Sequence, residues 1–364
     1  MPEINISQYT KDQLNQFKRY FSSQLSDTAS GNLKDFSYLK TQLKKQSELL
    51  TGNKAKFQVM TIGGTNFLTA VADYKDKKVA YHDERRLILP RLSSKEVLQN
   101  FVLQNLSTEI EVLAINFGYP IKSILRQGRL DAELLRGTKD HLFEGLVGRN
   151  VGEELEQYIS HRLGRSIKIV LANDIVCMLA SQNSNNQNLC ACIVGTGYNL
   201  GFIDKNNSYI NLESGNFKQF TQSNTGKVVD KNSTNPSTQL FEKEVAGAYL
   251  YRHYNFIAKD LGWSVLDSTA ELESLSRQPS PPQSDLANQI FQHSAALVAV
   301  QIAGLYEFKN KQELAFVIEG GVYWKVKDYP TYLQKYLNLL GVDLNQITFL
   351  KQANHFDGVA RLVI

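Results

Sequence analysis

Apolar residues near the start of the chain recur at helical spacing. Leu14, Phe17, Phe21 and Leu25 fall on one face, and Thr10 with Gln13 has the spacing of a capping box. The pattern predicts a first helix, and a second, polar helix is expected around Leu39 to Leu50. After Gly52 the period shortens to that of strands. Phe57 to Ile62 and Asn66 to Asp73, joined by Gly63-Gly64-Thr65, read as a hairpin. Ser93 to Leu106 reads as a helix opened by a Ser93/Glu96 capping box, Val112 to Phe117 as a strand, and Gln127 to Gly148 as a polar segment. Asn150 to Leu163 is a helix ended by Gly164, which feeds a short strand from Ile167 whose four aliphatic residues Ile169 to Ala172 run without a break. Beyond it come a loop at Asn183 to Asn188, a strand at Leu189 to Val194, and a polar, irregular stretch from Asn216 to Pro236 expected to be mobile. Helices follow at Thr238 to Asp260 and Asp285 to Phe308, separated by Pro279-Ser280-Pro281-Pro282. A strand at Leu314 to Ile318, a helix near Asp328 to Leu340 and a strand at Ile347 to Leu350 complete the pattern. Strands and helices alternate on both sides of residue 174, which implies two α/β lobes with a cleft between them.

Asp174 stands where the Ile167 to Ala172 strand gives way to helical spacing (Val176, Met178, Leu179). A strand end is where chemistry sits in α/β folds, so its carboxylate is a candidate for a reactive group. The competing reading is that Asp174 only caps the helix. Three glycine turns follow apolar strands: Gly63-Gly64-Thr65-Asn66, Gly195-Thr196-Gly197 and Gly320-Gly321. A backbone without side chains can approach an anion there and offer it amide hydrogens, although any one such turn also fits a tight hairpin. Two nucleotide signatures are excluded. Gly195-Thr196-Gly197-Tyr198-Asn199-Leu200 lacks the third glycine of a dinucleotide fingerprint, and Gly226-Lys227 lacks the flanking residues of a P-loop.

Composition narrows the class without naming the chemistry. At 364 residues the chain can hold two lobes with separate cores. Its 42% hydrophobic and 21% charged residues are those of an ordinary globular protein. The net charge of +4 is spread along the chain, so neither nucleic acid nor a membrane surface is an expected partner. Cys177, Cys190 and Cys192 lie in or beside apolar runs with no second cluster to complete a zinc site, and read as reduced core thiols. The opening residues lack the basic and apolar regions of a signal peptide, and the expected compartment is cytoplasmic.

The order of these motifs resembles the hexokinase family over nearly the whole chain. Gly63-Gly64-Thr65-Asn66-Phe67 is similar to the family's first phosphate loop and Leu171-Ala172-Asn173-Asp174 to the strand end that carries its catalytic aspartate. Ile193 to Asn199 resembles the second phosphate loop, Asn211 to Phe217 a sugar-contacting loop, and Leu240-Phe241-Glu242-Lys243 the helix start that supplies another glutamate. Thr138-Lys139 falls at the family's Thr-Lys pair, and Gly320-Gly321-Val322-Tyr323 resembles its adenosine loop.

The resemblance implies an α/β, two-lobed actin-like ATPase fold with a mixed five-stranded sheet in each lobe. The lobes would be residues 52–173, with 351–364 returning to them, and residues 174–350, with the helical segment 1–51 packed on the larger. It implies ATP-dependent phosphorylation of a hexose, most readily glucose, at the 6-hydroxyl, with Mg²⁺ bound alongside ATP and the lobes closing on substrate. The partners would be a hexose and ATP, and the protein a monomer or homodimer. Asp174 would be the general base. Thr138, Lys139, Asn173, Asn199, Glu213 and Glu242 would hold the sugar, while Gly63, Gly64, Thr65, Asn66, Gly195, Thr196, Gly197, Gly320 and Gly321 would meet ATP. Departures from the family are Gly118-Tyr119-Pro120 where Ser-Phe-Pro is usual, Ser214 for a tryptophan, His355-Phe356-Asp357-Gly358 for Ser-Gly-Lys-Gly, and Thr61 for an aspartate that orders the magnesium's water shell. They leave two alternatives: a sugar-binding sensor with weak or no catalysis, and a kinase for an amino sugar or cyclitol.

Overall fold

A computed structural model describes residues 9–32, 34–43, 49, 54–138, 141–182, 186–279, 281–352 and 354–364. The first helix, α1 (Lys11–Ala29), starts as expected: Thr10 Oγ1 accepts from Gln13 N at 3.2 Å and Gln13 Oε1 from Thr10 N at 2.9 Å. The expected second helix is not formed at its start. Leu39–Thr41 is instead a strand, β1, whose backbone bonds go to Tyr209–Asn211, so pairing overrides local preference. The rest of that expectation, except Leu49, lies outside the described residues or in the short connection after β1.

The hairpin is formed by β2 (Lys54–Ile62) and β3 (Asn66–Lys75), paired from Lys54↔Lys75 to Ile62↔Phe67. A third strand, β4 (Lys78–Ile88), follows through a turn at Asp76-Lys77, both at positive φ (51° and 62°). That is the geometry of a tight hairpin turn, made here without glycine, so its sequence carried no turn signal. Next come α2 (Lys95–Gln104) and β5 (Val112–Phe117). The cap of α2 is Ser94, with no side-chain cap bond, so the expected Ser93/Glu96 box is absent. The polar segment contains a hairpin, β6 (Ile121–Arg126) and β7 (Arg129–Leu134), around Gln127-Gly128. Then α3 (Val151–Leu163) ends on Gly164 at φ 65°, and β8 (Lys168–Ala172) and α4 (Asp174–Ser181) meet at Asn173.

The second half begins with β9 (Leu189–Val194), β10 (Tyr198–Ile203) and β11 (Tyr209–Asn211). The stretch expected to be irregular holds a helix, α5 (Asn224–Lys231), because Ser223 caps it by accepting from Gly226 N at 2.8 Å and Val229 is buried. The single helix expected from Thr238 to Asp260 is two, α6 (Leu240–Val245) and α7 (Leu250–Asp260). The break occurs because Gly247 N and Ala248 N donate to Gly195 O (2.7 Å) and Thr196 O (3.1 Å) rather than to helix carbonyls. There follow α8 (Thr269–Ser276), not foreseen, α9 (Gln283–Phe308), β12 (Leu314–Glu319), α10 (Gly321–Lys325), α11 (Tyr329–Leu339), β13 (Ile347–Lys351) and α12 (Asp357–Ala360).

One sheet has the order β4-β3-β2-β5-β8, antiparallel at β2/β3 and parallel at β2/β5 and β5/β8. The other has the order β1-β11-β10-β9-β12-β13, a mixed sheet in which β1 is a sixth strand. The chain groups into two compact units. One is Met1–Tyr38, Cys190–Leu200 and Leu212–Lys351; the other is Leu39–Leu189, Gly201–Asn211 and Gln352–Ile364. This grouping keeps α4 with the five-stranded sheet, whereas the sequence expectation began the larger lobe at residue 174. In that unit one sheet face buries Met60, Ile62, Phe67, Ile115, Phe117 and Leu171 against α2 and α3. In the other, α9 is buried along most of its length, and α1 lies close enough that a Cβ on Gly304 would stand 2.8 Å from Phe21 Cδ1. The three cysteines are buried and reduced, and burial pushes the Cys190 thiol up to about 12. Among the described residues no helix is long and apolar enough to cross a membrane.

Candidate active site

Asp174 is the first residue of α4, and the capping role belongs to its neighbour. Asn173 is the N-cap, its Oδ1 accepting from Ile175 N at 2.9 Å, and its Nδ2 donates to Tyr119 O at 3.3 Å. Asp174 Oδ1 also accepts from Ile175 N at 2.9 Å, and the start of a helix is a favourable place for a carboxylate. Asp174 Oδ2 lies 3.4 Å from where a Cβ on Gly118 would stand, and that same carbon would be 3.3 Å from Gly63 Cα. Glycine at 118 therefore lets the β5 end, the β2–β3 turn and the Asp174 carboxylate meet.

The turn itself is arranged with its carbonyls satisfied. Tyr119 Oη donates to Gly63 O (2.7 Å), Leu89 N to Thr65 O (2.9 Å) and Gly63 N to Asn66 O (3.2 Å). His141 Nδ1 accepts from Leu92 N (2.9 Å), so its Nε2 carries the proton and donates to Gly64 O at 3.1 Å. The amides of Gly64 and Thr65 donate to no carbonyl among the described residues. A turn with inward carbonyls engaged and amides spare is suited to an anion. Thr138 is buried, and its carbonyl accepts from His141 N at 3.0 Å, so it reaches the turn through that histidine. Lys139 lies outside the described residues.

Register places a row of residues on the sheet face opposite the apolar cluster: Arg86, Leu68, Thr61, Asn116 and Ala172 are consecutive cross-strand partners. Thr61 Oγ1 and Asn116 Oδ1 are buried and have no hydrogen-bond partner. Such orphaned atoms are uncommon in folded proteins and mark places that take a water or ligand atom.

In the other unit, Asn199, Glu213 and Glu242 come together. Asn199 Oδ1 accepts from Leu200 N (2.8 Å) and Ser214 N (3.2 Å), tying the Glu213 loop to β10. Gln301 Nε2 holds the same loop through Ser214 O (3.1 Å) and is itself fixed by Tyr198 Oη (3.0 Å). Glu213 has φ 50°, a left-handed backbone that a non-glycine residue adopts only under constraint, and such strain gathers at functional loops. A Cβ on Gly215 would be 3.0 Å from Glu242 Oε2. Glu242 is buried and receives Gln239 Nε2 at 3.1 Å; Gln239 is also left-handed, at φ 50°. Sequence reasoning missed Gln239 and Gln301, since neither carries a motif and both act through backbone geometry or a partner distant in sequence. The Gly195 turn is packed against Gly320, which has φ 122°. A Cβ on Gly195 would be 2.9 Å from Gly320 Cα, and one on Gly320 only 2.3 Å from Val194 C. Gly197 O accepts from Gly195 N at 3.0 Å, Thr196 is exposed, and Gly321 opens α10.

A sequence profile described as hexokinase matches residues 189–261, which include the Gly195 turn, Glu213 and Glu242. Hexokinase-9 of Oryza sativa subsp. japonica is 28% identical over 236 residues, covering 55% of this chain and 46% of that protein. Hexokinase-5 of the same organism is 23% identical over 404 residues, covering 87% and 79%. The chain is similar to hexokinases in sequence. The match thus spans about half of the first relative's length and most of the second's. A hexokinase from Schistosoma mansoni in complex with glucose matches with a TM-score of 0.78 at 18% identity, covering 98% of this chain and 95% of that one, which shows the fold.

The spare amides of the first turn and the close-packed glycines at Gly195 and Gly320 leave backbone that an anionic group could approach. Among the described residues no group of three His, Cys, Asp or Glu side chains is placed to hold a metal ion. Thr61 and Asn116 offer only neutral oxygens.

Proposed function

We propose that the protein is a sugar kinase that transfers the terminal phosphoryl group of ATP to the 6-hydroxyl of a hexose, most readily glucose. The observation that carries this reading is the Asp174 carboxylate beside Gly118 and a glycine turn with spare amides. Phosphoryl transfer passes through a loose transition state, so positioning and charge stabilisation matter more than strong bases. In this reading Asp174 accepts the hydroxyl proton as that oxygen bonds to phosphorus and the bond to the leaving diphosphate breaks. Asn173, Asn199, Glu213, Glu242, Thr138 and Lys139 bind the remaining sugar hydroxyls, the carboxylates by charge-assisted hydrogen bonds. The amides of Gly64 and Thr65 and the turns at Gly195 to Gly197 and Gly320-Gly321 receive phosphate and nucleotide, with Asn66 at the end of the first turn. Magnesium bound with ATP would neutralise phosphate charge.

A second reading is a sensor that binds sugar and turns over slowly or not at all; it is favoured by the neutral Thr61 and Asn116 in the row beside the base. A coupled ADP-release assay across hexoses, amino sugars and cyclitols, run over a range of magnesium concentrations, separates the readings. Hexose-dependent ADP release is expected. Hexose binding without ADP release at any magnesium concentration would select the sensor, and release only with an amino sugar or cyclitol would change the substrate.

A further inference from the structure

Arg86 sits on β4, the edge strand, in the row that runs through Thr61 and Asn116. Its Nε and Nη2 both donate to Asn66 Oδ1, at 3.3 and 3.2 Å. Asn66 closes the turn whose Gly64 and Thr65 amides are spare. Two independent features thus converge on one turn: amides without carbonyl partners, and an exposed guanidinium forked onto the turn's own asparagine instead of a carboxylate. An exposed arginine on an edge strand can also serve only to discourage pairing with another chain. That role needs no fork onto the turn, and holding the planar group there costs side-chain freedom without the return of an ion pair.

We propose that Arg86 is a phosphate-binding residue of this site, its guanidinium completing the cradle begun by the Gly64 and Thr65 amides. A guanidinium has several N–H donors in a fixed plane, so Asn66 can orient it while other donors remain for phosphate oxygens. The ligand chemistry is a phosphate group, whose source is either the nucleotide or the phosphorylated sugar. This inference rests on the reading of the turn as a phosphate loop.

Calorimetric titrations of wild type, Arg86→Leu and Arg86→Lys with magnesium-AMPPNP, hexose 6-phosphate and unphosphorylated hexose test it. Losing a charge-assisted bond should weaken phosphate binding about tenfold in Arg86→Leu, with hexose affinity unchanged. Arg86→Lys should recover part of the loss, because it restores charge without the fork. Loss confined to AMPPNP assigns Arg86 to the nucleotide, and loss confined to hexose 6-phosphate assigns it to the product. A wild type that binds both compounds and an Arg86→Leu protein that binds them equally well overturn the proposal. A wild type that binds neither overturns the kinase reading beneath it.

Discussion

Glu244 offers the sharpest structural perturbation near the candidate sugar site, because it follows Glu242 by two residues on α6 and is fully buried. Its Oε1 accepts from Ser223 N (2.8 Å), and its Oε2 from Ser223 Oγ (2.8 Å) and His293 Nε2 (2.9 Å). The carboxylate thereby joins α6 to the cap of α5 and to α9. A Cβ on Gly226 would stand 1.9 Å from Oε1, which explains glycine there. Replacing Glu244 with leucine keeps the bulk and leaves those donors buried and unpaired. Each orphaned donor costs about 1–3 kcal/mol, so the three together cost on the order of 3–9 kcal/mol. Against a typical stability of about 5–15 kcal/mol, this should lower the melting temperature by on the order of 10 °C. Hexose affinity should fall as well, since α6 loses the anchor nearest Glu242. Burial pushes the Glu244 carboxyl upward, but the His293 hydrogen bond, the nearby His253 and Ser223 bring it below the ordinary glutamate value. A depressed folded pKa means stability that is present above the unfolded value of about 4.5 and lost as pH falls through the folded one. Glu244→Gln should therefore show a smaller stability loss than wild type between pH 4.5 and lower pH. Near-ultraviolet dichroism melts against pH provide the assay. A Glu244→Leu protein that melts within about 2 °C of wild type would refute the reasoning, since that corresponds to about one orphaned donor rather than three.

Asp174→Ala should reduce turnover by about 10²–10⁴-fold while hexose affinity changes far less, and equal losses in both would remove the base assignment. Gly358→Ala should destabilise strongly, because its Cβ would meet Cys177 O at 1.8 Å and drive α12 from α4; an unchanged melt would contradict that packing. Thr61→Asp should lower the magnesium concentration needed for half-maximal activity by placing an anion in the row beside Asn116, and an unchanged or increased requirement would show that Thr61 does not face the metal-bound phosphates.

The sequence alone determined the elements whose burial is uniform along their length. Val112 to Phe117 and Ile169 to Ala172 are covered on both faces, so their apolar runs were legible without any partner. Thr10 and Gly164 end their helices by local chemistry, and they too could be read directly. The junction at Asp174 and the glycine turns were legible because side-chain-free backbone leaves a mark in the sequence. Tertiary structure decided the rest. β1 exists because Tyr209–Asn211 offers it backbone partners, and the helix from Leu240 breaks because Gly195 O and Thr196 O capture Gly247 N and Ala248 N. β4 is exposed over most of its length and turns without glycine, so neither periodicity nor turn chemistry announced it. The left-handed backbones of Glu213 and Gln239, and the row that brings Arg86 to Asn66, depend on register and on contacts between residues far apart in the chain. Local composition encodes what a residue prefers, and only the packed fold decides which of those preferences is overruled.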